Sequence, residues 1–192
     1  MIKEDLSFDE KRKRLMEILK ERSYREGDFT LTSGKKSPYY IDCKTTTLLP
    51  EGAYLTGMLF LEMLMNKGQK VEAVGGMTLG ADPLVTSVSV LSFLKGFPLP
   101  ALIIRKKPKG HGTSAWIEGT DNVPPGSKVA LLEDVVTTGG TLLTSAKRLQ
   151  DAGYLVTRVL CLVDREEGGK EALEASGFHL ESIITRKELS EL

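Results

Sequence analysis

The sequence is poor in cysteine. Its 192 residues include only Cys43 and Cys161, whose wide separation gives neither a CxxC pair nor a metal-ligand spacing. Both lie in apolar stretches, where a cysteine usually acts as a small core residue in a reducing compartment. We therefore expect neither a disulfide framework nor a cysteine-based metal site.

Net charge and long apolar runs are also missing. The 26 basic and 26 acidic residues cancel, so nothing favours nucleic acid or an anionic membrane as a bulk partner. No apolar run reaches the roughly 18 residues of a membrane span, and the charged N-terminus lacks the apolar region of a signal peptide. These absences predict a soluble, cytoplasmic protein without nucleic-acid or membrane partners.

The remaining pattern alternates helices with short apolar strands. We predict helices over 7–22, 51–67, 82–95, 142–152 and 170–176, and strands over 71–75, 101–105, 129–132, 156–163 and 182–185. A hairpin is predicted over 29–42 and a long loop over 106–121. This alternation indicates one α/β domain over 1–192, with a central, mostly parallel sheet flanked by helices. Its core sheet should span about 68–185, after an N-terminal segment of about 1–45.

The segment 129–142 carries the most chemical information. An apolar strand leads to two adjacent acids, Glu133 and Asp134, and a Thr/Gly turn then opens a helix. Ligands of open α/β sheets bind at this edge, and the free N–H groups of a helix N-terminus suit a phosphate. The acids would accept hydrogen bonds from sugar hydroxyls or hold a cation. The alternative is a strand that ends in solvated acids, with Thr141 capping the helix.

The complete string resembles the motif with which type I phosphoribosyltransferases bind 5-phosphoribosyl-1-pyrophosphate (PRPP). The resemblance implies their fold, with a small N-terminal hood over the sheet. It also implies that Glu133 and Asp134 contact the ribose hydroxyls, with Asp134 contributing to catalysis, and that 137–141 cradle the 5-phosphate. The implied PRPP-binding residues of this motif are Glu133, Asp134, Val135, Val136, Thr137, Thr138, Gly139, Gly140 and Thr141.

A basic segment precedes this motif. Five cationic or titratable side chains and two glycines occur within the eight positions 105–112, a charge density that a buried element could not hold. A solvated loop is one interpretation. The other is a lid that closes over a pyrophosphate and neutralises its charge.

This segment resembles the Arg-Lys-x-x-Lys-x-His-Gly loop of orotate phosphoribosyltransferases. The resemblance implies that pyrophosphate is bound by Arg105, Lys106, Lys109 and His111, with Lys109 as a catalytic residue. In that family the loop reaches across a dimer interface into the neighbouring site, so a homodimer with a shared loop is implied.

Two further segments concern the base. The stretch 29–40 is similar to the segment that covers the base in orotate enzymes, and 163–169 resembles a segment whose arginine, here Arg165, pairs with the orotate carboxylate. A guanidinium fork suits a planar carboxylate, and Thr137 completes the implied orotate contacts. The sequence departs from many relatives at Thr32 and Gly80, where they carry lysine.

The resemblance covers most of the chain, from about Phe29 to about Arg165. It implies transfer of the phosphoribosyl group of PRPP to orotate, a step of pyrimidine nucleotide (UMP) biosynthesis, with Mg²⁺ held mainly by PRPP and no protein ligand assigned to it. Two alternatives stay open: a phosphoribosyltransferase for another base such as adenine, and a PRPP-sensing regulatory protein. The first should lack the basic spacing and Arg165, and the second would usually bring a DNA-binding domain or a basic face.

Overall fold

The computed structural model describes residues 6–30, 36–66, 70–108 and 116–192. Its helices are α1 (Phe8–Arg22), α2 (Lys44–Thr47), α3 (Pro50–Met65), α4 (Asp82–Leu94), α5 (Gly140–Asp151), α6 (Gly169–Ala175) and α7 (Arg186–Ser190). Its strands are β1 (Tyr24–Thr30), β2 (Lys36–Ile41), β3 (Ala73–Met77), β4 (Ala101–Ile104), β5 (Ile117–Glu118), β6 (Lys128–Val136), β7 (Leu155–Asp164) and β8 (Leu180–Thr185). None of the helices within these ranges is long and apolar enough to cross a bilayer.

The main sheet has six strands in the order β5-β4-β3-β6-β7-β8. All neighbouring pairs are parallel except β4 and β5, which are antiparallel at one edge. The predicted mostly parallel sheet is therefore confirmed. Its central strands are buried along most of their length, because helices cover both faces.

Alternate residues of β6 pack into two different apolar clusters. Ala130 and Leu132 pack with residues of α1, α3 and α4, whereas Val129 and Leu131 pack with residues of α5. Successive side chains of a strand point to opposite faces, so these clusters are the cores on the two sides of the sheet. Cys43 and Cys161 are buried and unpaired, as expected for small core residues.

The N-terminal segment forms a helix and an antiparallel hairpin. Ser7 and Glu10 form a capping box that starts α1 at Phe8, since each side chain satisfies a backbone N–H of the other. Strands β1 and β2 then pair from Tyr24 opposite Ile41 to Thr30 opposite Lys36. The predicted hairpin is confirmed and begins earlier than expected; residues 31–35, which include Thr32 and for which a turn is predicted, lie outside the described residues.

Several predicted boundaries were wrong. Strand β6 runs to Val136 and not to Leu132, because its parallel pairing with β7 continues to Val136 opposite Asp164. Strand β3 is shifted from 71–75 to Ala73–Met77. The expected loop 106–121 contains the edge strand β5 and a 3-10 turn at Thr120–Asn122. The short helices α2 and α7 were not predicted.

Glycine allows the close packing of α4 against β3. Gly76 lies inside the strand, and a Cβ atom there would be 2.3 Å from the Cβ of Ala81 and 2.8 Å from the carbonyl oxygen of Leu132. A larger residue would force the start of α4 away from the sheet. This contact brings the turn between β3 and α4 close to the end of β6.

Candidate active site

The predicted site residues converge at one edge of the sheet. Strand β6 lies between β3 and β7, and the three strands are parallel, so their carboxyl ends are neighbours. The acids and turn that end β6, the turn that follows β3, and Arg165 after β7 therefore share this edge. Ligands of open α/β sheets bind in this position.

Glu133 has a buried carboxyl group with an unsatisfied oxygen. The residue is 5% exposed, and its Oε1 accepts a 3.3 Å hydrogen bond from the backbone N–H of Asp134. Oε2 has no hydrogen-bond partner among the described residues. Burial, and secondly the charge of Asp134, raise the pKa of the Glu133 carboxyl well above its usual range. A buried polar atom without a partner is suited to a hydroxyl or a cation of a ligand.

Asp134 is fixed by backbone contacts on two sides. Its Oδ1 accepts a 2.9 Å hydrogen bond from the backbone N–H of Val135. On the other side lies Gly80, where an added Cβ atom would come within 2.5 Å of the same oxygen. A lysine at position 80 would therefore displace the Asp134 carboxylate. The glycine at this position is thus matched to the position of the acid.

The turn after β6 encloses a small cavity of about 90 Å³. It is lined by the site motif and the start of α5, namely Glu133, Val135, Val136, Thr137, Thr138, Gly139, Gly140, Thr141 and Leu142. Gly139 has a φ of 79° and caps α5, a left-handed conformation that favours glycine. The N–H groups of the first turn of α5 have no partner within the helix. The cavity therefore has the donors and the dipole orientation of an anion site.

Gly169, at the start of α6, lies in close contact with this turn. A Cβ atom on it would lie 2.5 Å from Cγ1 of Val136 and 2.8 Å from the carbonyl oxygen of Thr137. The start of α6 thus packs directly against the turn. Neither Gly169 nor this packing was recognised from the sequence.

Arg165 lies at the same edge and is tied to the hairpin. It is 7% exposed, and its backbone N–H donates to the carbonyl oxygen of Val136 at 2.9 Å. Its Nε donates to the Tyr39 hydroxyl at 3.3 Å and its Nη2 to Oε1 of Glu167 at 2.7 Å. Tyr39 and Glu167 both stand in segments that the sequence pointed to, but neither was assigned a role.

The structure describes only the first four residues of the basic segment, 105–108. Arg105 donates its backbone N–H to the carbonyl oxygen of Trp116 at 2.9 Å, and its guanidinium pairs with Glu118 at 2.9 Å. Arg148 of α5 donates to the carbonyl oxygen of Arg105 at 2.6 Å and stacks 4.0 Å above the Trp116 ring. Arg105, at the start of the segment, is thus joined both to Trp116, just before β5, and to α5.

Of the remaining basic residues predicted to bind pyrophosphate, the structure describes Lys106. Lys106 is exposed, and its charge is close enough to lower the pKa of Glu133 slightly against the larger effect of burial. Lys109 and His111 lie outside the described residues.

The site provides few ligands for a metal ion. Carboxylate oxygens such as those of Glu133 and Asp134 suit Mg²⁺. Within the described ranges, however, no three or more histidine, cysteine, aspartate or glutamate side chains come together at metal-binding distances. Glu133 and Asp134 are the carboxylates at this edge that could hold such an ion.

No protein-family model matches the chain, but its curated relatives are close in sequence. It is 52% identical over 185 residues to the orotate phosphoribosyltransferase of Thermosynechococcus vestitus, covering 96% of each chain. It is 43% identical over 181 residues to that of Aquifex aeolicus, covering 93% of this chain and 97% of the relative.

Solved structures agree with this relationship. The Mycobacterium tuberculosis orotate phosphoribosyltransferase in complex with PRPP matches with a TM-score of 0.78 and 33% identity, over 94% of this chain and 99% of that one. An adenine phosphoribosyltransferase of Trypanosoma brucei, with a TM-score of 0.68 and 17% identity over 94% of this chain and 81% of that one, shares the fold alone. By its fold the chain is a type I phosphoribosyltransferase, and by its sequence it belongs to the orotate phosphoribosyltransferase family.

Proposed function

We propose that this protein transfers the phosphoribosyl group of PRPP to orotate, giving orotidine 5-monophosphate and pyrophosphate in pyrimidine nucleotide (UMP) biosynthesis. One observation carries the proposal: a buried acid with an unsatisfied oxygen, an anion cavity at a helix N-terminus and a buried arginine meet at one sheet edge. These three features complement a ribose, a phosphate and a carboxylate.

PRPP would bind along the end of β6. In this proposal the ribose hydroxyls donate to Glu133 and Asp134, and the 5-phosphate accepts from the backbone N–H groups of 137–141. The raised pKa of Glu133 fits this role, since a hydroxyl or a positive charge at Oε2 would stabilise the carboxylate. The acids then face the sugar, where positive charge develops as the bond to pyrophosphate breaks.

The reaction would exchange one bond at C1 of the ribose for another. A ring nitrogen of orotate attacks C1, and the C1–O bond breaks with its electron pair leaving on pyrophosphate. Orotate that enters with this ring nitrogen already deprotonated requires no general base, because no proton remains on the nitrogen to be removed. Mg²⁺ held mainly by PRPP would neutralise part of the charge of the leaving group, and in this proposal the basic residues Arg105, Lys106, Lys109 and His111 would add positive charge to it.

Arg165 and Thr137 would select the base. Arg165 presents a guanidinium fork at the edge of the site, and only a base with a carboxylate offers it a partner of matching geometry. Thr137 lines the cavity next to it. Adenine and uracil lack that carboxylate.

The proposal includes a cytoplasmic homodimer with the basic loop shared between subunits. Helix α4 and the residues after it carry large exposed apolar side chains, with Phe93 72% and Leu94 70% exposed and Val90 and Phe97 more than half exposed. Clustered exposed apolar residues of this kind favour association with another protein surface, here a second copy. The buried free cysteines are compatible with a reducing compartment.

The activity is tested with PRPP, Mg²⁺ and a panel of orotate, uracil, adenine and hypoxanthine, using the protein and its Arg165→Ala variant. We expect turnover of orotate only. In the variant the KM for orotate should rise about ten- to a hundredfold, because one charge-assisted bidentate contact is lost, while the KM for PRPP changes little. Melting curves check that the variant is folded.

Turnover of adenine or hypoxanthine in preference to orotate would contradict the proposed function. An equal rise of both KM values in the variant would assign Arg165 a structural role.

We expect the buried carboxyl group of Glu133 to lower the stability of the folded protein at neutral pH. The pKa of Glu133 is higher in the folded protein than in the unfolded chain, where it is about 4.3. The free energy of unfolding therefore decreases as the pH rises from about 4.3 to the folded pKa, and above that pH the full cost of the buried carboxylate applies. Glu133→Gln should therefore raise the melting temperature at neutral pH, by about 2–4 °C per kcal/mol of cost removed. The gain should vanish at acidic pH, and turnover should fall strongly.

Glu171→Gln, an exposed change on α6, serves as the control and should alter neither quantity. A Glu133→Gln protein that melts lower than the parent at neutral pH would contradict the stated cost of this buried acid.

Substitution of Lys109 tests whether the basic loop is shared between subunits. A lysine in a solvated loop, as the charge density of 105–112 predicts, contributes at most about 1 kcal/mol to stability, so Lys109→Ala should keep the melting temperature and lower turnover by orders of magnitude. Mixing it with Asp134→Asn protein should form heterodimers in which one site combines an intact Asp134 with an intact Lys109. Activity should then exceed that of either variant alone.

Subunit exchange must be verified in the same samples by mass-tagged subunits. Confirmed exchange without any recovery of activity would show that the loop serves its own chain.

A further inference from the structure

Arg165 is a buried cation, and its described hydrogen bonds use one edge of the guanidinium. That edge consists of Nε, which donates to the Tyr39 hydroxyl, and Nη2, which donates to Glu167. The ring of Tyr39 also lies 4.8 Å from the guanidinium carbon. A buried guanidinium requires such compensation. None of the described hydrogen bonds uses Nη1, which belongs to the second edge.

The three side chains form a closed triangle. The Tyr39 hydroxyl contacts the Glu167 carboxylate as well as Arg165, so each member touches the other two. Burial, and secondly the Glu167 carboxylate, raise the pKa of Tyr39, which keeps its hydroxyl protonated and able to donate. The triangle joins three separate pieces of the fold: strand β2 of the hairpin, the end of β7 and the turn before α6.

The turn that carries Glu167 is itself fixed. Glu166 has a left-handed backbone with a φ of 58°, and its N–H donates to Oδ1 of the buried Asp164 at 2.9 Å. This bend lies between Arg165 and Glu167 and allows the Glu167 carboxylate to meet the arginine two residues earlier. Glu167 is thus held against Arg165 by local structure.

We propose that Tyr39 and Glu167 are positioning residues for the base: they hold Arg165 by its Nε and Nη2 edge and leave the edge containing Nη1 for the carboxylate of orotate. The inference rests on the proposed function. Both a planar guanidinium and its orientation are needed for bidentate recognition, and the triangle restricts that orientation. It also makes the carboxylate site depend on the hairpin, because Tyr39 comes from β2.

The test compares steady-state constants of the full-length protein with those of Glu167→Gln, Tyr39→Phe and the double variant. Each single change keeps the size of the side chain: Tyr39→Phe removes the hydroxyl that accepts from Nε, and Glu167→Gln removes the negative charge opposite Nη2. The KM for orotate should rise about three- to tenfold in each, while the KM for PRPP stays within about twofold. The rise of the KM for orotate in the double variant should be smaller than the product of the two single rises, because both contacts belong to one triangle.

Glu166→Gln is the matched control, with the same charge change one residue away and no described contact to Arg165. It should leave both KM values unchanged. A lower KM for orotate in Glu167→Gln would show that Glu167 competes with the substrate for Arg165, and would overturn the inference. A parallel rise of both KM values, or no change, would overturn it as well.

These outcomes are separable from failure of the proposed function. A parent protein that turns over another base and not orotate overturns both conclusions. Normal turnover of orotate by the parent, combined with any of the contrary variant results, overturns only the positioning role.

Discussion

The parallel pairing of β6 with β3 on one side and β7 on the other is the constraint on which the site depends. It aligns the carboxyl ends of the three strands, so residues far apart in the chain meet at one edge. Close packing at Gly76 and Gly80 then brings the turn after β3 against Asp134. The catalytic edge is therefore a consequence of strand order and of glycine at two contact points.

The two buried ionisable groups at this edge, Arg165 and Glu133, differ in the hydrogen-bond partners that the protein provides. Arg165 is compensated within the protein by Tyr39 and Glu167, whereas Glu133 keeps an oxygen without a partner among the described residues. A buried carboxyl group without a hydrogen-bond partner lowers the stability of the protein. If the protein supplied that partner, a ligand would gain less by contacting the carboxyl group. This difference fits a site in which Glu133 acquires its partner from PRPP and Arg165 is held ready for the base.

The sequence predicted the alternating elements well because apolar periodicity and glycine boundaries report directly on helices and buried strands. It placed the end of β6 too early because paired acids look like a strand terminus, and pairing with β7 is not visible locally. The acids, the anion turn and Arg165 were predicted as site residues from motifs, and the structure brings them to one edge of the sheet. Tyr39 and Glu167 were missed as partners of Arg165, since their contact joins β2 to the turn before α6, and no local pattern encodes it.

The central claim is that the end of β6 binds PRPP, with the ribose on the acids and the 5-phosphate at the start of α5. A crystal structure of the protein with PRPP and Mg²⁺ tests it most directly. The account predicts ribose hydroxyls within hydrogen-bonding distance of Glu133 Oε2 and the Asp134 carboxylate, and the 5-phosphate in the cavity lined by 137–141. A 5-phosphate bound outside that cavity, or a Glu133 Oε2 that still has no partner in the complex, would contradict it.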